Sequence, residues 1–133
     1  MYREAVYQDV PAEIIRELEA AVGRAERAGV RREAIIVDPG FGFAKRAGHS
    51  FAALAQLGRL AVLDRPILSG PSRKSFLKEA VGERPPAERE WATAAAVTAS
   101  ILAGAHIVRV HGVREMAQVV RVADRIRAAA DGR

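Results

Sequence analysis

The chain has 133 residues, half of them hydrophobic, and a formal net charge of +5 at pH 7. This size and apolar content suit one globular domain and argue against a disordered chain. The lack of cysteine excludes disulfide bonds and thiolate metal sites. No apolar run approaches the roughly 20 residues of a membrane-spanning helix, so we expect a soluble, cytoplasmic protein with no membrane partner.

The positive charge raises the question of nucleic-acid binding, because a basic patch is the usual footprint of such proteins. The arginines, however, alternate with glutamate and aspartate on the predicted helices, and no aromatic residues are interspersed with them. This pattern is typical of a solvated helix surface rather than of a surface that binds single strands. We therefore predict no nucleic-acid partner.

Helices and short apolar strands alternate along the chain. Asp9 is a good N-cap, so the first helix is predicted to begin there and to end at Gly29. A buried strand over residues 34–38 follows, and a glycine-rich loop over 39–43 separates it from the second helix. Ser50 is the predicted N-cap of that helix.

The second half of the chain repeats this order. A strand over residues 66–70 precedes a short helix from Arg73, for which Ser72 is the predicted N-cap. An alanine-rich helix then ends at Gly104, and its Trp91 is expected to be packed. The remaining predicted elements are a strand over 105–110 and a last helix from about Val113.

Apolar strands separated by helices indicate a parallel α/β sheet, and ligands of such sheets lie beyond the carboxyl ends of the strands. All three predicted strands end in polar residues, which are Asp38, the segment Ser72–Lys74, Arg109 and His111. Their convergence predicts a site for a ligand with hydrogen-bond donors and an anionic group. The histidines show no metal-ligand spacing, and we predict no metal ligand in this chain.

Each of these segments also has a simpler structural interpretation. Asp38 can accept two N–H bonds from a planar heterocycle or can only cap its loop, and the sequence favours neither. Ser72 with Lys74 can bind an anion at a helix start, but a plain cap beside a solvated lysine is favoured. Arg109 and His111 face the same side of their strand, which favours an anionic ligand over an internal ion pair with Asp38.

Three segments together resemble the dihydropteroate synthase family. They are Asp-Pro-Gly-Phe-Gly-Phe-Ala-Lys at 38–45, Ser-Arg-Lys-Ser at 72–75 and Arg-Val-His at 109–111, in the order and spacing of that family. The resemblance implies that residues 1–133 form one partial pterin-binding domain. That domain would be the C-terminal part of a (β/α)8 TIM barrel, with three parallel strands and flanking helices. The implied activity is that of a transferase of folate biosynthesis, which joins p-aminobenzoate to dihydropterin pyrophosphate and releases pyrophosphate.

The resemblance also implies a role for each matching residue. Asp38 would hydrogen-bond the pterin amino and ring N–H groups, Gly42 would let the backbone approach the ligand, and Lys74 would contact both substrates. Arg109 would stack along the pterin and bind the pyrophosphate together with His111. Lys74, Arg109 and His111 would thus be the catalytic group. The p-aminobenzoate pocket would be lined by Phe43 and Ser72.

The resemblance further implies a Mg²⁺ cofactor, whose protein ligand would lie in the N-terminal half of the barrel. Because that half is not in this sequence, we expect an incomplete site and a chain that self-associates or pairs with an N-terminal half. The family's dimer contact implies an interface on the last two helices. Ala44 and Ser50 stand where the family usually has glycine and asparagine. Gly112 replaces the usual aspartate and is expected to loosen the support of His111.

Two other functions stay open at this point. The chain can be a non-catalytic fragment that binds a pterin or a phosphate group and needs a partner half. It can also resemble a pterin-dependent methyltransferase of related barrel fold. Those enzymes share the pterin-binding aspartate but have no reason to keep the residues that serve p-aminobenzoate and pyrophosphate, which are Ser72, Lys74, Arg109 and His111.

Overall fold

The computed structural model describes residues 9–42 and 47–132. Within them the chain alternates between helices and short strands, as the sequence predicts for an α/β protein. The α-helices are α1 (Val10–Arg27), α2 (Ala47–Ala55), α3 (Lys78–Val81), α4 (Glu90–Leu102) and α5 (Val113–Ala130). The strands are β1 (Leu68–Ser69) and β2 (Ile107–Val108), and 3-10 turns cover Arg32–Ala34, Leu57–Leu63, Ser75–Leu77 and Pro86–Glu88.

The sheet is parallel but smaller than predicted. Leu68 of β1 lies opposite Ile107 of β2. The predicted strand over 34–38 is reduced to a single parallel bridge between Val37 and Ile67, so the expectation of three full strands is only partly confirmed. Only its first residue, Ala34, belongs to the 3-10 turn Arg32–Ala34, and Ile35 is extended. The pairing with the neighbouring strand consists of two hydrogen bonds, from Val37 to Pro66 and from Leu68 to Val37, which make a bridge rather than a full strand.

The first helix begins and ends where the sequence predicts. The Asp9 carboxylate accepts the N–H of Ala12 at 3.1 Å, and Gly29 follows the helix with a positive φ of 102°. Arg59 lies 3.0 Å from the same carboxylate, and its hydrogen bond lowers the pKa of Asp9. The cap therefore also connects α1 to the turn Leu57–Leu63.

Two predicted helix caps are wrong, for a common reason. Ser50 lies inside α2, which already includes Ala47, and its hydroxyl accepts the N–H of Gly42 at 3.0 Å. The helical segment after β1 begins at Ser75, with Lys74 as its capping residue, while Ser72 bonds to His111. Instead of closing the start of a helix, the Ser50 hydroxyl links α2 to the loop at Gly42, and the Ser72 hydroxyl links the loops that follow the two strands.

Two hydrophobic clusters form the core on one side of the sheet. In the first, the ring of Phe76 lies 6.0 Å from that of Phe41 and 5.1 Å from that of Phe51, among residues of α1, α2 and the Leu57–Leu63 turn. The second joins α4 and α5 to β2 through Val97, Ile101, Met116 and Ala123. These clusters place the helices so that they support the carboxyl ends of both strands.

The described residues leave the other side of the sheet uncovered. Ile36 and Ile107 are 50% and 38% exposed, and Asp38, Arg109 and His111 are exposed on the same side, as expected for an incomplete barrel. Trp91 is not packed: its side chain is 90% exposed, because it projects from α4 away from the buried Thr93 and Val97 face. None of the helices in the described ranges is long and apolar enough to cross a membrane.

Candidate functional site

A cleft of about 610 Å³ opens beyond the carboxyl ends of β1 and β2. Parallel sheets bind ligands at this end, because the loops that follow each strand converge there. The cleft is lined by Gly70, Ser72, Arg73, Lys74, Pro86, Arg109, Val110 and His111. Four predicted site residues therefore come together, which are Ser72, Lys74, Arg109 and His111. Among the described residues, no carboxylate lines the cleft.

Arg109 lies across the loop that follows β1. A Cβ atom on Gly70 would lie 3.2 Å from Nη2 of Arg109, so the glycine makes room for the guanidinium. Within residues 9–42 and 47–132 no acidic side chain pairs with Arg109, and the internal ion pair with Asp38 that we considered is wrong. A guanidinium in a cleft without a counter-ion suits an anionic ligand.

His111 is anchored by Ser72. The Ser72 hydroxyl lies 2.7 Å from Nδ1 of His111 and also accepts the backbone N–H of His111 at 3.1 Å. Because Nδ1 is engaged, Nε2 is the ring nitrogen left for a ligand. Ser72 itself is buried, so its role in this structure is to orient the histidine.

Lys74 connects the second loop to the first. Its Nζ donates a hydrogen bond to the carbonyl oxygen of Phe41 at 2.7 Å. Its stem passes Gly42, where an added Cβ would lie 3.4 Å from Cδ, and the φ of 84° at Gly42 also favours glycine. Lys74 is thus not the solvated surface charge of the simpler interpretation. Phe43 lies outside the described residues.

Asp38 lies in the neighbouring loop and does not line the cleft. Its Oδ1 accepts the N–H of Gly40 at 2.8 Å, so it does cap its loop. Its Oδ2 has no partner in the part of the chain that the structure describes. The carboxylate is exposed on the same side of the sheet as Arg109, which leaves it accessible to a ligand on that side.

The sequence interpretation missed the residues that hold the second loop. Arg73 has a positive φ of 59°, a conformation that residues with side chains rarely adopt. Its N–H donates to Thr93 Oγ1 at 2.9 Å, and its carbonyl oxygen accepts from Arg89 at 2.6 Å. Both partners are buried at the start of α4. The one available signal was Arg89 itself, a cation next to an apolar helix.

The cleft does not fit a Mg²⁺ ion on its own. In the described ranges no three histidine or acidic side chains come together as a metal site. Lys74 and Arg109 make the lining cationic, which repels a bare divalent ion. The residues of this cleft alone therefore do not hold a Mg²⁺ ion for catalysis.

Comparison with known proteins identifies the family. The sequence profile described as "Pterin binding enzyme" matches residues 1–111. The chain belongs to this family. The matched region ends at His111, so it includes every residue of the predicted site.

Relatives of the family show a more specific likeness. The chain is 46% identical over 118 residues to the dihydropteroate synthase of Synechocystis sp., which covers 89% of this chain and 41% of the relative. The solved structure of Xanthomonas albilineans dihydropteroate synthase in complex with 7,8-dihydropteroate gives a TM-score of 0.86 at 36% identity, covering 92% of this chain and 47% of that chain. A structure of the same enzyme with 4-aminobenzoic acid also gives 0.86 and covers 92% of this chain and 45% of that one. The chain thus spans less than half the length of these relatives.

Proposed function

We propose that this chain is part of a dihydropteroate synthase and supplies the side of the active site that binds the pyrophosphate of the pterin substrate. One observation carries the proposal: the guanidinium of Arg109 has no acidic partner among the described residues and shares a cleft with Lys74 and His111. Identity to dihydropteroate synthases across this region supports the same activity. The protein would act in the cytoplasm as a transferase of folate biosynthesis.

The proposed reaction forms one bond and breaks another. The C–O bond to pyrophosphate breaks, the amine of p-aminobenzoate bonds to the methylene carbon of the dihydropterin, and the proton of the amine passes to water or to the released pyrophosphate. Negative charge develops on the leaving pyrophosphate, where Arg109, Lys74 and Nε2 of His111 would donate hydrogen bonds. Donors that are already in place lower the barrier because they need not reorganise as the charge develops.

The other predicted residues have proposed roles around the pterin. Asp38 would accept the pterin amino and ring N–H groups through Oδ2 and the second lone pair of Oδ1, since Gly40 uses only one acceptor position. Gly42 would allow the ring to approach the backbone. Phe43 and Ser72 would border p-aminobenzoate; for Ser72, however, orienting His111 is the role that the observed hydrogen bonds support.

We further propose that the site needs protein beyond this chain. The uncovered side of the sheet exposes Ile36 and Ile107 next to the cleft, and exposed apolar residues beside open strand edges favour pairing with another segment. The remaining strands of a (β/α)8 barrel would cover them, from an N-terminal half in the same or another chain. That half would also supply the protein ligand of a Mg²⁺ ion that arrives with the pyrophosphate.

A second interface is proposed between copies of the chain. A groove of about 730 Å³ runs between α4 and α5, and nearly all its lining side chains are apolar. Trp91 projects from the same helix α4 and is exposed. An apolar groove next to an exposed aromatic side chain is typical of a protein–protein contact, which supports a homodimer through these two helices.

The two alternative functions, a methyltransferase-like barrel and a non-catalytic binding fragment, predict different properties of the cleft. A methyltransferase-like barrel requires the pterin aspartate but no pyrophosphate site, so the cationic cleft argues against it. A non-catalytic binding fragment would keep the cleft and turn over nothing. Only an activity measurement separates this second alternative from the proposal.

The test is a chimera in which this chain replaces the matching 118 residues of the Synechocystis synthase. We expect the chimera to form dihydropteroate from dihydropterin pyrophosphate and p-aminobenzoate. Arg109→Ala in the chimera should abolish the activity, whereas Arg24→Ala, which removes the same charge from the exposed last turn of α1, should not. A folded chimera without synthase activity would overturn the proposal.

A further inference from the structure

We propose that Glu90 is a positioning residue for the cleft: its carboxylate holds Arg73, in a space that Gly112 leaves open, and so fixes the loop that carries Ser72 and Lys74. This inference rests on the proposed function, because it concerns the same anion-binding cleft. It assigns roles to Glu90 and Gly112, neither of which belongs to the residues that line the cleft.

Arg73 is the centre of the loop after β1. The N–H of Lys74 bonds to the carbonyl oxygen of Pro71 at 3.2 Å, which closes a four-residue turn with Arg73 in third position. The third position of such a turn favours glycine when its φ is positive, and here an arginine adopts 59°. A strained residue of this kind persists only where its surroundings hold it.

The loop after β1 is important for the site because Ser72 and Lys74, on either side of Arg73, contact two different loops of the site. Ser72 extends to His111 after β2, and Lys74 extends to Phe41 in the first loop. These two residues flank Arg73 directly, so a change in its backbone would misalign both. The conformation of Arg73 therefore determines whether His111 and Lys74 reach the cleft together.

Glu90 holds the side chain of Arg73. The carboxylate accepts a hydrogen bond from Nε of Arg73, and the two side chains are 31% and 27% exposed, so water screens the pair only in part. The pair also keeps the guanidinium of Arg73 neutralised at the edge of the cleft. Arg109 and Lys74 are then the cations that face an incoming anion.

Gly112 provides the space for this carboxylate. A Cβ atom at position 112 would lie 3.0 Å from Oε1 of Glu90 and 3.3 Å from Oε1 of Glu115, both closer than ordinary contacts. The φ of −88° at Gly112 is open to any residue, so the backbone does not require glycine there. The carboxylate of Glu90 crowds this position instead, so an alanine would displace that carboxylate by a few tenths of an ångström and disturb its hydrogen bond with Arg73.

If Glu90 positions the loop, removing its negative charge should change anion affinity in the direction opposite to the one that charge alone predicts. Glu90 is a negative charge beside a cationic cleft, so by charge alone its removal strengthens the binding of an anion. If Glu90 positions the loop, its removal instead weakens binding. The probe is pyrophosphate, titrated by calorimetry into the full chain and into Glu90→Ala, Gly112→Ala and the double variant.

We expect Glu90→Ala to weaken pyrophosphate binding by about fivefold or more. Gly112→Ala should weaken it in the same direction, though by less, without any change in charge. The double variant should be no worse than Glu90→Ala, because both substitutions remove one interaction. Glu88→Ala, which removes the same charge from the exposed turn Pro86–Glu88, should bind as the parent or slightly better.

A second measurement follows the Arg73 Nε–H signal by NMR. It should shift in Glu90→Ala and in Gly112→Ala but not in Glu88→Ala. Unchanged or tighter pyrophosphate binding by Glu90→Ala overturns the inference. An Arg73 Nε–H chemical shift that is the same in the parent, Glu90→Ala and Gly112→Ala overturns it as well. If the parent chain binds no pyrophosphate, the proposed function fails, and the NMR signal alone decides whether Glu90 holds Arg73.

Discussion

The hydroxyl of Ser72 lies 2.7 Å from Nδ1 of His111 and accepts the backbone N–H of the same residue. One serine thus fixes both the backbone and the ring of the histidine. Ser72→Ala should lower the free energy of unfolding by about 1–3 kcal/mol, since it leaves a partly buried N–H without an acceptor. Urea unfolding measures the change, with Ser75→Ala on the exposed hydroxyl as control. Equal stabilities of Ser72→Ala and the parent would contradict this interpretation.

The loop-capping role of Asp38 and its proposed pterin-binding role can be tested separately. The loop hydrogen bond uses Oδ1, whereas the pterin would also use Oδ2. Asp38→Asn keeps an oxygen for the Gly40 N–H, so the loop should stay intact, but it loses the charge that the pterin requires. In the active chimera we expect kcat/KM for the pterin substrate to fall by a factor equivalent to about 1.5–3 kcal/mol. Asp38→Ala should additionally disturb the loop. Unchanged kinetics in the asparagine variant would reduce Asp38 to a loop cap.

Lys74 is expected to serve the site both by its charge and by its link to Phe41. Lys74→Ala in the chimera should lower kcat/KM by roughly tenfold or more, for p-aminobenzoate as well as for the pterin. Lys74→Arg should not restore it, because a guanidinium is forked and planar and must pass the narrow space beside Gly42. Steady-state kinetics checks both variants, and full activity of Lys74→Arg would show that only a positive charge is needed.

Trp91 is the single tryptophan of the chain and reports directly on the proposed dimer. Because it is exposed, its fluorescence should move to shorter wavelength as concentration rises and the mass measured by light scattering increases. Trp91→Glu should raise the dissociation constant about tenfold or more. Val62→Glu, at an exposed apolar residue of the turn Leu57–Leu63, is the control. Concentration-independent fluorescence in an associating chain would exclude α4 from the interface.

Several features of the fold could be predicted because local signals determine them. Asp9 closes the start of α1 through its own side chain, and Gly104, with a positive φ, follows the end of α4. The exposure of Ile36 and Ile107 agrees with the incomplete barrel that the family resemblance implies. Other features depend on contacts between distant parts of the chain. Trp91 could not be assigned from an alanine-rich pattern, which has no clear polar side to show which face of α4 is buried.

In the candidate site, too, some features follow from the local sequence and others depend on contacts between distant parts of the chain. Arg109 and His111 could be placed on one side of their strand from alternation alone. Ser72 could not, because a serine before a helix is the usual N-cap signal, and only the fold brings His111 within reach of its hydroxyl. Arg73 was missed for a related reason: its unusual backbone is stabilised by Thr93 of α4 and by Arg89, which precedes that helix, and nothing in the local sequence requires it.

The most direct test of the account is calorimetric titration of pyrophosphate into the full chain, because the cleft is expected to be the anion site of the synthase. The parent should bind pyrophosphate, more weakly as salt is added. Arg109→Ala should abolish this binding, while Arg24→Ala, with the same loss of charge on α1, should keep it. Binding by Arg109→Ala that equals the parent would contradict the assignment of the cleft, even if both proteins are correctly folded.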